Sequence, residues 1–229
     1  MILPRPPSAA LWAGLISLDF TGCGPWMVSQ PLVCGPLFGW LLGHLAVGLI
    51  VGGIVQLLWM DVTPVGVGIP YDTTSATLLA VYWASLEAHS SLSQIVLALL
   101  LAIPCGYAFR WMDQLARKVN TRLAHAVENA PDQALAPALS LGIFGGLAWS
   151  WLRYAGFYWL ALWGGAAAWH KIHYFPKLTW FDQGLTMAVI LLPVAGMGVA
   201  LELFLSEAPE QRWANWRPFR MRRQRPENP

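Results

Sequence analysis

The sequence predicts an all-α fold, a polytopic transmembrane helical bundle with broken or re-entrant segments. Three observations carry this reading. Only 11% of the residues are charged, against about 25% in a soluble domain. Hydrophobic residues make up 56%, and the mean hydropathy is +0.49. The apolar runs are long but punctured by glycine and proline, most densely from Gln30 to Ala80, where Gln56, Asp61 and Asp72 also sit. Non-helical backbone at membrane depth survives only where protein or a water-lined cavity satisfies it. Broken apolar segments with polar residues at the breaks therefore point to a transporter-type site. One membrane domain, residues 1–205, is expected, followed by a basic tail, residues 206–229.

The opening MILPRPPSAALWAGLISLDF has one arginine, a short apolar run and no A-x-A-like cleavage site, so it reads as a retained first segment, short or partly re-entrant. Asp19 ends it, and two readings stand: a helix cap or interface residue, or a lining of the cavity. From Leu32 to Met60 the chain is apolar but interrupted by Pro36, Gly39, Gly43, His44, Gly48, Gly52 and Gly53. A straight span needs about 20 residues. The interruptions predict two half-length or tilted pieces with a bend near Gly43–His44. Gly35, Gly39 and Gly43 recur every four positions, which lets another helix approach closely.

Pro64, Gly66, Gly68 and Pro70 keep the next stretch out of helix. Asp72, Thr73 and Thr74 then read as the start of a helix running to about Ala84. A helix N-terminus at membrane depth presents free N–H groups and a positive dipole end, suited to hydroxyls or anions. Leu86–Ser93 reads as a short polar loop and Leu92–Met112 as a full span kinked at Pro104. Arg110–Gln133 reads as an amphipathic, water-facing helix, and Leu135–Ala168 as one long or bent span with Arg153 in its course. Trp169–Gln183 reads as a loop and Leu185–Leu205 as the last span.

Basic residues flanking spans stay in the cytoplasm. The tail, with Arg212, Arg217, Arg220, Arg222, Arg223 and Arg225, and the Arg110–Arg122 segment both belong inside. Two spans separate them, so the assignment is self-consistent. The chain is thus expected to be a multi-pass membrane protein in the lipid bilayer, with a cytoplasmic C-terminal tail. Nothing in the tail indicates nucleic-acid recognition. Of the 14 tryptophans, Trp12, Trp26, Trp111, Trp169, Trp180 and Trp213 read as interfacial anchors. Trp40, Trp59 and Trp151 lie deeper and read as packing residues, with sugar stacking as an alternative for one of them.

No nucleophile elbow, phosphate-cradling loop, zincin or kinase motif occurs, and Cys23, Cys34 and Cys105 have no metal-ligand spacing. No catalytic residue, cofactor or metal is expected. Gln56 and Asp72 are the best binding candidates, because amide and carboxylate groups match hydroxyls that both donate and accept. The competing reading has both residues satisfying loosened backbone N–H groups at the breaks. Thr73 joins them at the predicted helix start. Asp61 is weaker, since a turn accepts it equally well.

The runs QPLVCGPLFGWLLG and GLIVGGIVQLLW, then GVGIPYD followed by small residues, resemble the IIC membrane subunit of the mannose/fructose/sorbose class of bacterial sugar phosphotransferase systems. The resemblance is closest over Leu18–Ala80 and weaker from Leu92 to Glu202. It implies a non-enzymatic permease subunit that binds and translocates a sugar substrate by alternating access. It also implies a IID-like membrane partner, with soluble IIA and IIB phosphocarrier proteins delivering phosphate. Homo-oligomerisation stays open. Gln30 stands where the family usually has Arg, His44 where it has Asp, and Gln56 where it has Glu. His44 is therefore added to Gln56, Asp72, Thr73 and Asp61 as a substrate-binding candidate. After the last span the family usually has a Gly- and Phe-rich hairpin, where this chain has arginines. These neutralised positions keep a second expectation alive, a non-transporting docking or regulatory subunit for IIA and IIB proteins.

Overall fold

The computed structural model describes residues 6–19, 24, 26–59, 71–87, 90–128, 132–172 and 179–206. Among these residues all regular structure is helical: α1 (Pro6–Leu18), α2 (Pro31–Leu42), α3 (Leu45–Leu58), α4 (Thr73–Ala84), α5 (Leu92–Glu128), α6 (Asp132–Ile172) and α7 (Thr179–Ser206). The chain divides into two units, Met1–Ile190 and Leu191–Pro229. The first holds α1 to α6 and the start of α7. The described part of the second is the remainder of α7. The expected boundary near residue 205 falls at the end of α7, and the basic tail after Ser206 lies outside the described residues.

The first four helices have 12 to 14 residues. At 1.5 Å per residue they are roughly 18–21 Å long, well short of a hydrocarbon core of about 30 Å. The predicted bend falls where expected. Gly43 ends α2 with φ 80°, a left-handed conformation that costs glycine little. Its N–H donates to Trp40 O at 3.0 Å, and the His44 N–H donates to Gly39 O at 2.7 Å. The chain then turns straight into α3.

α2 packs chiefly on α3, and glycine makes this closeness feasible. A Cβ on Gly35 would stand 2.6 Å from the Gly48 carbonyl oxygen, and one on Gly39 would stand 2.9 Å from the Gly48 Cα. The helix admitted by the Gly35–Gly39 spacing is therefore the next one in the chain. Gly43, grouped with them by its spacing, serves the turn instead.

α4 is the centre of the first unit. Every residue from Thr74 to Ala84 is buried. α5 covers it most extensively, with α2, α3 and α6 adding further contacts. α1 lies along α6, where Gly14 meets the Ala155 backbone and Ser17 Oγ bonds Tyr158 OH at 2.6 Å. The Trp83 ring is seated on Gly165 at the other end of α4.

Three expectations change. Leu92–Met112 and the following basic segment form one continuous helix, α5, which runs through Pro104. Its segment Leu92–Arg117 is long and apolar enough to cross a membrane. The basic half is not simply water-facing either, because Asp113 and Ala116 are buried in it. A further correction concerns tryptophan: Trp169 is a buried residue of α6 rather than a loop anchor, whereas Trp40 is 64% exposed rather than packed. Hydropathy alone does not say which face of a helix finds a neighbour.

A candidate polar site at the start of the buried helix

The site begins with the cap of α4. Asp72 is extended, and its Oδ2 accepts from the Ser75 N–H at 2.9 Å, as a helix N-cap should. Ser75 Oγ donates back to Asp72 O at 3.1 Å. Thr77 Oγ1 donates to Thr73 O at 2.8 Å, which uses the Thr73 carbonyl but leaves its half-buried side chain unengaged by that bond. Thr74 Oγ1 donates to Ser29 O at 2.7 Å and so fixes the helix start against the turn that precedes α2.

That turn is itself held by Asp19. Its two carboxylate oxygens accept from the Trp26 N–H at 3.1 Å and the Ser29 N–H at 3.0 Å. Between them Met27 has φ 63°, an uncommon conformation for a non-glycine residue, and the clamp on either side maintains it. Asp19 also lines an apolar groove of about 390 Å³ with Trp12, Leu15, Trp26, Leu37 and Trp40. Asp19 thus clamps a turn rather than capping a helix. Its oxygens are committed to the turn, and this groove contains neither Gln56 nor Asp72.

Aromatic rings bring the two ends of the 60–70 segment together. Trp59, which follows α3, stacks on Tyr71 with centroids 5.0 Å apart and planes inclined by 16°. Tyr71 in turn meets Tyr107 at 4.9 Å and donates its hydroxyl to Ile103 O at 3.0 Å. Gly106 makes room for this ring, since a Cβ there would stand 2.7 Å from Tyr71 Cε2. Gln56 lies three residues before Trp59 and shares its helix face. Gln56 Oε1 is buried and has no hydrogen-bond partner among the described residues. Such a group costs on the order of 1–3 kcal/mol.

Gln56 thus stands near the C-terminal end of α3, and Asp72 and Thr73 stand at the start of α4. His44 stands at the other end of α3, twelve residues before Gln56, or roughly 18 Å along the helix. Asp61 lies outside the described residues. A second polar cluster escaped sequence reasoning altogether. Asp113 accepts from Arg117 Nε at 2.9 Å, Tyr154 OH at 3.0 Å and Arg153 Nη2 at 3.5 Å. The i, i+4 spacing of Asp113 and Arg117 was a visible signal, as was a lone arginine in the apolar run of α6. Their meeting was not, because α5 and α6 join residues 40 positions apart.

Half-length helices around a buried, polar-capped helix form an all-α polytopic membrane bundle. The chain belongs to the family described as PTS system sorbose-specific IIC component, whose family model matches residues 8–208. Over 111 residues it is 24% identical to the PTS system mannose-specific EIIC component of Escherichia coli (strain K12), covering 48% of this chain and 40% of that protein. Over 55 residues it is 34% identical to the Putative N-acetylgalactosamine permease IIC component 2 of the same strain, covering 24% of this chain and 41% of that protein. The matched stretch thus spans about two fifths of the length of these curated relatives. A solved chain described as a membrane protein superposes with a TM-score of 0.66 at 20% identity, over 89% of this chain and 81% of that one. A chain from the cryo-EM structure of the mannose transporter ManYZ with microcin E492 superposes with a TM-score of 0.58 at 21% identity, over 93% and 86%. These likenesses establish the fold.

Proposed function

We propose that this chain is the sugar-binding membrane subunit of a mannose-class phosphotransferase permease. In this reading a sugar binds at the end of α3 and the start of α4, with Gln56 accepting from a sugar hydroxyl, and Asp72 and Thr73 completing the contacts. The observation that supports it most directly is Gln56 Oε1, an acceptor buried without a partner among the described residues. A cargo hydroxyl would satisfy it. Trp59 and Tyr107, packed on the buried Tyr71 ring, carry flat apolar surface of the kind that the C–H face of a sugar ring would meet.

Translocation follows the alternating-access scheme, one part of the bundle moving against a scaffold. The subunit performs no phosphoryl transfer itself. A IID-like membrane protein would complete the permease, and IIA and IIB proteins would deliver phosphate on the cytoplasmic side, where the basic tail is assigned. His44 and Asp61 are retained as secondary candidates, His44 at a distance from Gln56 along α3.

The test is uptake and phosphorylation of a labelled hexose panel in vesicles carrying this chain with its membrane, IIA and IIB partners, compared with Asp72→Asn. Uptake abolished by the substitution supports the site and names the sugar. No uptake of any sugar by the assembled, folded complex would overturn the permease reading in favour of a docking or regulatory subunit.

A further inference from the structure

The Asp113 cluster has chemistry left over. Two guanidinium groups, Arg117 and Arg153, meet one carboxylate, so the cluster holds one positive charge that Asp113 does not balance. Arg117 is 53% exposed and solvent accommodates it. The Arg153 side chain is only 14% exposed, and its Nε and Nη1 are buried with no acceptor among the described residues. Its remaining hold is slight: a 3.5 Å contact to an oxygen that Tyr154 already engages, and the face of the Tyr154 ring 5.0 Å away. Moving the guanidinium toward an arriving oxyanion would give up little. An arginine turned inward among apolar helices marks a substrate or ion path by default.

We propose that Arg153, seated between Asp113 and Tyr154, forms an anion subsite that takes a phosphate oxyanion. Guanidinium is the side chain best matched to phosphate, by charge and by its planar set of donors. The Asp113 carboxylate, beside the guanidinium, opposes an arriving anion by its own negative charge. The phosphate comes from a phosphorylated sugar or from a lipid headgroup. The first source rests on the permease reading, and the binding chemistry does not.

The experiment uses the full chain in phosphatidylcholine nanodiscs, titrated with inorganic phosphate, a hexose 6-phosphate and the neutral hexose, and read by calorimetry. Phosphate and hexose 6-phosphate are expected to bind, to weaken at least about tenfold in Arg153→Gln, and to tighten severalfold in Asp113→Asn. A merely structural ion pair predicts no tightening in Asp113→Asn. Replacing phosphatidylcholine by phosphatidylglycerol separates the sources: competition against phosphate, lost in Arg153→Gln, assigns the subsite to lipid, and its absence assigns it to the phosphorylated sugar. Equal phosphate affinity in wild type and Arg153→Gln overturns the proposal. If Arg153→Gln does not fold, Asp113→Asn decides alone, and unchanged or weaker phosphate binding there overturns it. Neutral hexose failing to bind while phosphate binds would sink the permease reading and leave the subsite standing.

Discussion

At Asp72 a single carboxylate caps a helix and, in the function proposed above, also meets a cargo, and two substitutions separate these roles. Asparagine caps about as well as aspartate, whereas alanine loses about 1 kcal/mol. Asp72→Asn is expected to melt with the wild type and to lose sugar uptake. Asp72→Ala should lower thermal stability in detergent as well. Equal uptake by Asp72→Asn and wild type would reduce Asp72 to a cap. Gln56 gives the reverse signature. Replacing it by leucine removes a buried acceptor without a partner among the described residues, so the unliganded chain should gain stability, by up to about 1–3 kcal/mol, while sugar binding is lost. A thermal shift assay with and without sugar reads both effects together. A fall in stability would mean that Oε1 has a structural partner.

At the scale of elements, the α2–α3 pair depends on glycine contacts that admit no methyl group. Gly48→Ala is expected to destabilise the chain by about 1–3 kcal/mol through overpacking. Gly53→Ala, with nothing within 4 Å of its added carbon, should be neutral or slightly stabilising. A chemical-denaturation series in micelles tests the pair, and equal losses at the two positions would refute the packing argument. These helices were also the most legible in the sequence. A glycine followed by a poor helix residue inside an apolar run, and an Asp-Thr-Thr step after proline, have local causes, and α2, α3 and α4 start and stop close to where those causes put them. α5 was misread because a change from apolar to charged composition looks like a boundary, yet the helix continues through it, with Asp113 held by Arg153 and Tyr154 of α6. The Asp72 cap was legible because Asp-Thr-Thr follows a break. The Asp113–Arg153 contact was not, since it depends on register between two long helices.

For the whole molecule, exposed apolar side chains are numerous, among them Phe144, Leu160, Trp163, Met187 and Leu191, as expected of surfaces that meet lipid or another membrane subunit. Co-expression with a IID-like protein is expected to yield a stable complex on affinity purification, and a chain that purifies alone under the same conditions would count against the permease assembly. The half-length of α1 to α4 also bears on how the protein is made. A buried helix of 12 residues, opening with Thr-Thr-Ser, is too short and too polar to be handed to the bilayer as an independent span. α4 must enter together with its neighbours, above all α5, whose span follows it in the chain. Synthesis halted before α5 emerges should leave α4 outside the membrane and open to protease, whereas extension through Arg117 should bring it in.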